Sequence, residues 1–170
     1  MDNKRGISQA LGPLPTGLEI REATVFDAFA ISGILIASIT HLCGADHGND
    51  PAKMLPWLEN KSPADVRGWI EGGAALRLAL LDGQPAAVGA LSAEGGVIRL
   101  LYAAPQAQGT GTGKALLSDL EGLLAAQGPA EARLTATLTA LEFYRAQGWQ
   151  EAGPPEACFG IPGHPMKKRL

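Results

Sequence analysis

The sequence predicts a single α+β domain with a mixed sheet and helices on both faces. Two strand-like runs, residues 74–82 and 85–94, are joined through an Asp82-Gly83 pair that is typical of a β-hairpin. Later segments alternate strand, helix, strand and helix, the order that produces parallel strands through crossover connections. A chain of 170 residues has the length of one domain and can bury a substantial core. Hairpins followed by a crossover therefore predict a mixed sheet rather than a doubly wound one.

The chain begins with a segment that shows no hydrophobic period. Residues 1–17 contain several glycines and prolines, which predicts a flexible lead-in and a folded domain of residues 18–170. The domain opens with a short alternating strand. Thr24 and Asp27 then have the spacing of a capping box, which predicts a helix that continues to about Leu42.

Each later element has its own start or stop signal. The helix at residues 62–73 is the clearest, because Ser62 is a favoured cap, Pro63 suits the first turn and Gly72-Gly73 ends it. The others are a polar loop at 41–50, a short helix at 51–60, a strand at 96–104, a helix from about 112 to Gly128-Pro129, a strand at 131–138 and a helix at 139–148. The residues after 148 are expected to be irregular, with one final strand.

Composition excludes several classes of partner. The chain has 14 Lys and Arg against 17 Asp and Glu, so it has no general positive field for nucleic acid or anionic lipid. The longest nearly apolar run, residues 28–39, is shorter than the roughly 20 residues that span a bilayer, and it predicts a buried helix. The N-terminal residues lack the apolar segment of a signal peptide, so we expect a cytoplasmic protein without membrane attachment.

A glycine-rich turn lies between the strand at 96–104 and the following helix. Residues 108–114 read QGTGTGK, with Gly109, Gly111 and Gly113 at every second position. Such a turn directs unpaired backbone amides and the positive end of the helix dipole at one point, where phosphate is the usual occupant. The glycines remove the Cβ atoms that would keep an anion away, and Lys114 adds positive charge.

Two familiar phosphate motifs do not fit this spacing. A P-loop would need a glycine at Gln108 and a hydroxyl residue at Ala115. A dinucleotide fingerprint would place its third glycine at Lys114 or Leu116. From these residues alone, a phosphate nest of another kind and a glycine-rich connection that binds nothing both remain open.

The same residues resemble the GNAT superfamily of acyl-CoA-dependent N-acetyltransferases. Residues 108–113 match the family's pyrophosphate loop, [QR]xxGx[GA]. Residues 100–105, LLYAAP, are similar to the strand before that loop, and residues 139–149, TALEFYRAQGW, to the family's NxxAxxFYxxxGF segment. Residues 18–27 are similar to the opening strand and helix, so the resemblance covers most of residues 18–150.

The resemblance implies a specific cofactor and a way of holding it. In the family the sheet is mostly antiparallel, its parallel fourth and fifth strands splay apart at a bulge, and the pantetheine arm of acetyl-CoA enters the gap like an added strand. The main chain of Leu101 and Ala103 would pair with that arm, and the amides of residues 108–114 would hold the pyrophosphate. The implied cofactor-binding residues are Leu101, Tyr102, Ala103, Gln108, Gly109, Thr110, Gly111, Thr112, Gly113 and Lys114. For Tyr102, packing on the opposite face of the strand is the alternative.

The resemblance also implies a catalytic residue, with two departures from the family pattern. Tyr144 matches the tyrosine that protonates the leaving thiolate; a tyrosine merely packed under the sheet is the alternative. Thr137 stands where the family often has an Asn that contacts the cofactor. Val97 stands where several members carry a Glu that acts as a base through water, so no strand carboxylate is assigned as the base.

Four polar residues crowd the loop at 41–50. The spacing of His41, Asp46, His47 and Asp50 fits no zinc or calcium pattern, so no metal is expected. In the resembling fold this loop borders the acceptor site. It is therefore a candidate for recognising a cationic amine, or for supplying His47 or Asp46 as the base.

These inferences predict an enzyme that transfers an acetyl group from acetyl-CoA to a primary amine by direct attack through a tetrahedral intermediate. The acceptor is expected to be a small molecule or a peptide, and a homodimer is the prior expectation because dimers are the commonest soluble assembly. One rival is a catalytically inactive acyl-CoA-binding sensor or interaction module. A third option is a nucleotide-binding protein.

Overall fold

The computed structural model describes residues 14–170, which form an α+β domain. The strands are β1 (Leu18–Glu22), β2 (Ala75–Leu81), β3 (Gln84–Leu91), β4 (Ile98–Ala103), β5 (Glu131–Ala136), β6 (Gln150–Glu151), β7 (Glu156–Cys158) and β8 (Ile161–Arg169). The helices are α1 (Ala28–Leu42), α2 (Gly44–His47), α3 (Pro51–Leu58), α4 (Pro63–Glu71), α5 (Thr112–Gln127) and α6 (Leu141–Ala146). The first 13 residues of the predicted flexible lead-in lie outside the described residues, so its flexibility stays a prediction.

The strands confirm the mixed, mostly antiparallel sheet. β1, β2, β3 and β4 are neighbours in that order and all antiparallel, while β8 lies between β5 and β6 and also pairs with β7. A parallel bridge between Val97 and Arg133 connects the two groups where β4 and β5 begin. The hairpin at Asp82-Gly83 is also confirmed, because both residues have positive φ angles, +51° and +77°, as a type I′ turn requires.

A β-bulge interrupts β4 at Arg99. The pairing of β4 with β3 passes from Leu100, opposite Ala90, directly to Ile98, opposite Leu91, so Arg99 has no partner. The extra residue places Leu100 and Ile98 in different core clusters on the two faces of the sheet. In a regular strand these two side chains would point to the same face. Because of the bulge, they point to opposite faces.

Helices cover both faces of the sheet, as predicted. On one face, α5 buries a row of leucines that includes Leu117, Leu120 and Leu124. On the other face, α1 and α4 pack on β2 and β3, and Ile31 and Leu35 of α1 are completely buried there. These two cores hold the sheet as a rigid support for the segments that follow β4.

The first helix, α1, packs into the core of this fold. Residues Val25–Leu42 are long and apolar enough to cross a membrane by length and composition alone. Its buried side chains nevertheless pack against the sheet and against α3, and the buried Ser32 hydroxyl donates to the Lys61 carbonyl oxygen at 2.7 Å. The predicted capping interaction is present as well, since Asp27 accepts a hydrogen bond of 2.8 Å from the Thr24 amide.

Two segments differ from the sequence prediction. The loop at 41–50 contains the short helix α2, which ends at Gly48 in the left-handed region with φ +58°. The C-terminal segment contains three strands: β8 is the predicted final strand, and β6 and β7 are additional. β8 forms although Pro162, Gly163 and Pro165 are residues that usually argue against a central strand. A Cβ on Gly163 would lie 2.5 Å from a methyl carbon of Thr135, so the close approach of β8 to β5 explains the glycine.

Candidate active site

A cleft opens between β4 and β5 beyond the Val97–Arg133 bridge. It has a volume of about 230 Å³ and is lined by β4, by residues 134–137 in and after β5, and by the C-terminal end of α1. Phe143 and Tyr144 of α6 complete the wall. The predicted splaying of the parallel strand pair is thus present, and one opening of the cleft leads to the glycine turn through Gln108 and Gly113.

The glycine turn presents unpaired amides at the start of α5. Gly109 and Gly111 have φ angles of +71° and +81°, which residues with side chains rarely adopt. The amides of Gly109, Gly111, Gly113 and Lys114 donate to no acceptor within residues 14–170. A Cβ on Gly109 would meet no atom within 4 Å, so the turn is open on that side. Such a group of amides at a helix N-terminus is suited to a diphosphate.

The threonines of the turn are occupied by internal contacts. The Thr110 hydroxyl donates to the Ala107 carbonyl oxygen at 2.6 Å and lies 2.7 Å from the hydroxyl oxygen of Thr112. Thr112 is completely buried. These two side chains shape the turn, whereas Gln108 and Lys114 are exposed beside it. The backbone amides are therefore the candidate anion site, and the threonine side chains support the conformation of the turn.

The backbone of β4 also faces the cleft at the predicted positions. Ala104, directly after the strand, donates its amide to the Ala86 carbonyl oxygen of β3 at 2.8 Å. Because backbone groups of successive strand residues point to opposite edges, the N–H and C=O groups of Leu101 and Ala103 point away from β3 and toward the cleft. This edge can accept an extended ligand as an additional strand.

Tyr144 projects from α6 into the cleft between aromatic neighbours. Its side chain is 6% exposed, and its ring meets the Trp149 ring edge to face at a centroid distance of 6.0 Å. Its hydroxyl lines the cleft and makes no hydrogen bond with residues 14–170. Burial raises the pKa of Tyr144 well above its ordinary value. The phenol therefore keeps its proton, and that proton is available to a group in the cleft.

Tyr102 lines the same cleft but is tied to the core. Its hydroxyl oxygen accepts a hydrogen bond of 3.2 Å from Trp57 Nε1, and Trp57 is buried against α1. Burial raises the pKa of Tyr102 as well, so both phenols in the cleft are neutral. The contact with Trp57 supports the packing role that the sequence offered as the alternative for Tyr102.

Asp46 is used to hold the connection between β5 and α6. Its carboxylate accepts hydrogen bonds from the amides of Leu138 at 2.7 Å and Thr139 at 3.2 Å, and from the Thr139 hydroxyl. In the predicted cationic-amine site this carboxylate would face an acceptor, but here it is 8% exposed and fully engaged. The geometry therefore gives Asp46 a structural role.

His47 and Asp50 are engaged in the same way. His47 is completely buried, with Nε2 at 2.7 Å from the Ile39 carbonyl oxygen and Nδ1 accepting from the Asn49 amide at 2.9 Å. Neither ring nitrogen is left to act on a substrate. Asp50 caps α3 by accepting from the amide of Ala52. Recognition of a cationic amine by this loop, and His47 as the base, are both at odds with these contacts.

The departures at Val97 and Thr137 have visible consequences. Val97 leaves the beginning of β4 without a carboxylate, and no Asp or Glu lines the cleft within the described residues. The Thr137 hydroxyl accepts a hydrogen bond of 3.2 Å from the Ala140 amide and so supports the start of α6. Within residues 14–170, no cluster of three or more metal-ligating side chains is present.

Comparison with known proteins identifies the family to which this architecture belongs. Residues 52–170 match the family model of the GNAT acetyltransferase domain, and the chain belongs to that family. No curated protein matches the chain in sequence.

Solved structures share the fold at low sequence identity. A GCN5-related N-acetyltransferase from Rhodopseudomonas palustris is similar with a TM-score of 0.81 at 23% identity, over 93% of this chain and 99% of the other. The PaiA N-acetyltransferase from Thermoplasma acidophilum, solved with coenzyme A, gives 0.71 at 17% identity over 90% and 99%. YncA, a putative acetyltransferase from Salmonella typhimurium solved with acetyl-CoA, gives 0.66 at 19% identity over 91% and 94%. These similarities establish the fold.

Proposed function

We propose that the protein transfers an acetyl group from acetyl-CoA to a primary amine. The observation that carries this proposal is the alignment of two features along one cleft: the unpaired amides at the start of α5 and the free backbone edge of β4. Family membership and the cofactors named in two of the similar structures support the same assignment.

Each end of a thioester cofactor has a matching part of the cleft. The amides of Gly109, Gly111, Gly113 and Lys114 bind the diphosphate, because they supply several donors and the positive end of the α5 dipole. The backbone groups of Leu101 and Ala103 pair with the amide groups of the pantetheine arm. The thioester then lies in the cleft between β4 and β5, beside Tyr144.

The transfer proceeds in one attack, and its atoms balance. The neutral amine nitrogen forms a bond to the thioester carbon, and the resulting oxyanion is stabilised by a main-chain amide of β4 near Ala103. The carbon–sulfur bond then breaks, the thiolate takes the Tyr144 proton, and Tyr144 recovers a proton from solvent. The nitrogen loses its own proton to solvent. The products are an N-acetylated amine and the free thiol.

The test is thiol release from acetyl-CoA by the full-length protein. A panel of amino acids, amino-acid amides, aminoalkylphosphonates, polyamines, aminoglycosides and peptide N-termini is supplied, and free thiol is measured with a chromogenic disulfide. We expect release above background with at least one class of amine, together with coenzyme A binding in calorimetry. Coenzyme A binding without release from any amine would instead identify an acyl-CoA sensor, and tighter binding of ATP than of coenzyme A would identify a nucleotide-binding protein.

A further inference from the structure

Within residues 14–170, the lining of the cleft contains positive charge and no negative charge. Among the described residues that line it, Arg99 is the one charged side chain. A second cavity, of about 550 Å³, lies between the C-terminal end of α4 and the β3–β4 connection. Arg99 lines that cavity too, and again no Asp or Glu does. Arg99 therefore borders both the cleft and this neighbouring cavity.

The fold exposes Arg99 without giving it a partner. Arg99 is the additional residue of the bulge in β4, and bulges commonly redirect a side chain beside an active site. It is exposed, and it forms no ion pair with any carboxylate of residues 14–170. Arg21, Arg77 and Arg133 in other strands each have an acidic partner, whereas Arg169, at the end of β8, like Arg99 has none within residues 14–170.

A second cation lies behind Arg99. Lys61 is only 5% exposed, and its ammonium nitrogen lies 4.9 Å from the centre of the Phe159 ring and 5.9 Å from that of Trp69. Its polar contact is with the side-chain oxygen of Asn60, and no carboxylate in residues 14–170 lies at ion-pair distance. Burial is the main cause that lowers the pKa of Lys61; Cys158 and Asp65 raise it, and the positive charge of Arg99 lowers it by the smallest of these effects. Arg99 and Lys61 are therefore close enough to interact, although Asp65 acts on Lys61 more strongly than Arg99 does.

We propose that the acceptor is an amine that also carries an oxyanion, most simply an amino acid, and that Arg99 binds this group. The inference rests on the proposed function and specifies its substrate class. The planar guanidinium matches a carboxylate with two parallel hydrogen bonds. A polyamine or another cationic acceptor would enter a positively charged space in which the carboxylates of the nearby loop, Asp46 and Asp50, already hold backbone amides.

The positive charge of Arg99 also affects the protonation of the bound amine, for which no carboxylate base is assigned. Nearby positive charge favours the neutral form of an amine and lowers its pKa. Arg99 pairs with the oxyanion of the acceptor, so that this oxyanion no longer holds up the pKa of the neighbouring amine. A larger fraction of the bound amine is therefore neutral at physiological pH, which makes a carboxylate at the position of Val97 less necessary.

The experiment compares acceptors that differ only in the acidic group. Amino acids are tested against their amides and against the matching aminoalkylphosphonates, with each amine supplied at equal free-base concentration. We expect kcat/KM to favour the carboxylates or the phosphonates over the amides by about tenfold or more, since an amide lacks the negative charge that pairs with the Arg99 guanidinium. The phosphonate arm tells which of the two oxyanions fits better.

Two variants assign the preference to Arg99. Arg99→Gln should raise the KM of the acidic acceptors about 10- to 100-fold, change the KM of the amides and of acetyl-CoA much less, and be partly rescued in Arg99→Lys. Arg67→Gln makes the same change of net charge on the exposed face of α4, away from the cleft, and should behave as wild type.

The outcomes separate this inference from the function on which it rests. Turnover that favours neutral or cationic amines, or an Arg99→Gln variant with unchanged KM for acidic acceptors, overturns the inference and leaves the acetyltransferase standing. The absence of thiol release from every amine overturns the proposed function and this inference with it.

Discussion

One end of the cleft is formed mainly by backbone groups and the other by side chains. At the start of α5, backbone amides and glycine geometry form the candidate anion site, and the described side chains there either support the turn or lie exposed beside it. At the other end, side chains from α1, α3, α6 and the bulge in β4 meet around a space that backbone groups do not define. A backbone site depends on a short run of the chain, whereas a side-chain site depends on segments that are distant in sequence. The first end should therefore be sensitive to conformation and the second to the identity of individual side chains.

The largest effect is expected from changing the conformation of the glycine turn. Gly111→Ala would place a Cβ at a residue with φ +81° and only 3.3 Å from Pro15, so the turn would have to shift. Backbone strain of about 1–3 kcal/mol and misplaced amides should weaken coenzyme A binding by about 100-fold in calorimetry.

The matched control lies in the middle of α5. Gly122 has open space around its Cβ position, so Gly122→Ala should leave affinity unchanged and stabilise the helix by about 0.5–1 kcal/mol. Equal affinities for the Gly111→Ala variant and the wild type would show that backbone conformation does not set binding at this end.

The next effect is expected from the free phenol at the other end. Tyr144→Phe should lower kcat by about 100-fold and leave the KM of acetyl-CoA and the thermal stability nearly unchanged, because the hydroxyl has no hydrogen bond within residues 14–170. Burial raises the pKa of Tyr144. In the wild type, loss of this proton should therefore cause no decrease of kcat at any pH lower than about 10.

Tyr102→Phe provides the comparison for that phenol. It removes the acceptor of the Trp57 N–H, so it should destabilise the protein by about 1–2 kcal/mol and change kcat by less than about threefold. If Tyr102→Phe lowers kcat more than Tyr144→Phe does, the two tyrosines have the opposite roles.

A smaller effect, on stability rather than rate, is expected at Asp46. Asp46→Asn keeps the shape but weakens three hydrogen bonds to residues 138 and 139, which should lower the free energy of unfolding by about 1.5–3 kcal/mol in urea denaturation. Asp50→Asn, at an exposed helix cap, should cost less than about 1 kcal/mol. A stable Asp46→Asn enzyme with a displaced pH–rate profile would restore Asp46 as a candidate base.

Local signals in the sequence predicted most of the framework. The hairpin at Asp82-Gly83, the capping pair Thr24 and Asp27 and the helix that starts after Gly111 each depend on residues within a few positions of one another, and each is present. The final strand was predicted, but β6 and β7 were missed, because segments of two and three residues carry no hydrophobic period. Both form by pairing with β8.

Local sequence signals likewise predicted some residues of the candidate site and missed others. The sequence pointed to the glycine turn and to Tyr144, and the structure brings both to one cleft, while their roles in binding and catalysis stay predictions. Asp46 and His47 were singled out for their chemistry, but hydrogen bonds to residues 138, 139 and 39 engage them. Arg99 was not singled out at all. An arginine in a strand gives no local sign that a bulge will expose it beside a cavity.

By itself, the sequence determined the order of the elements, the backbone conformations that only glycine readily adopts, and a run of amides suited to an anion. These are properties of short segments, set by steric limits on φ and ψ and by unpaired groups at a helix start. Tertiary structure alone decided that β4 and β5 separate, which polar side chains are engaged in hydrogen bonds within the fold, and that Arg99 lies exposed beside two cavities without an acidic partner in residues 14–170. Those outcomes depend on packing and charge between residues far apart in the chain, and no local pattern records them.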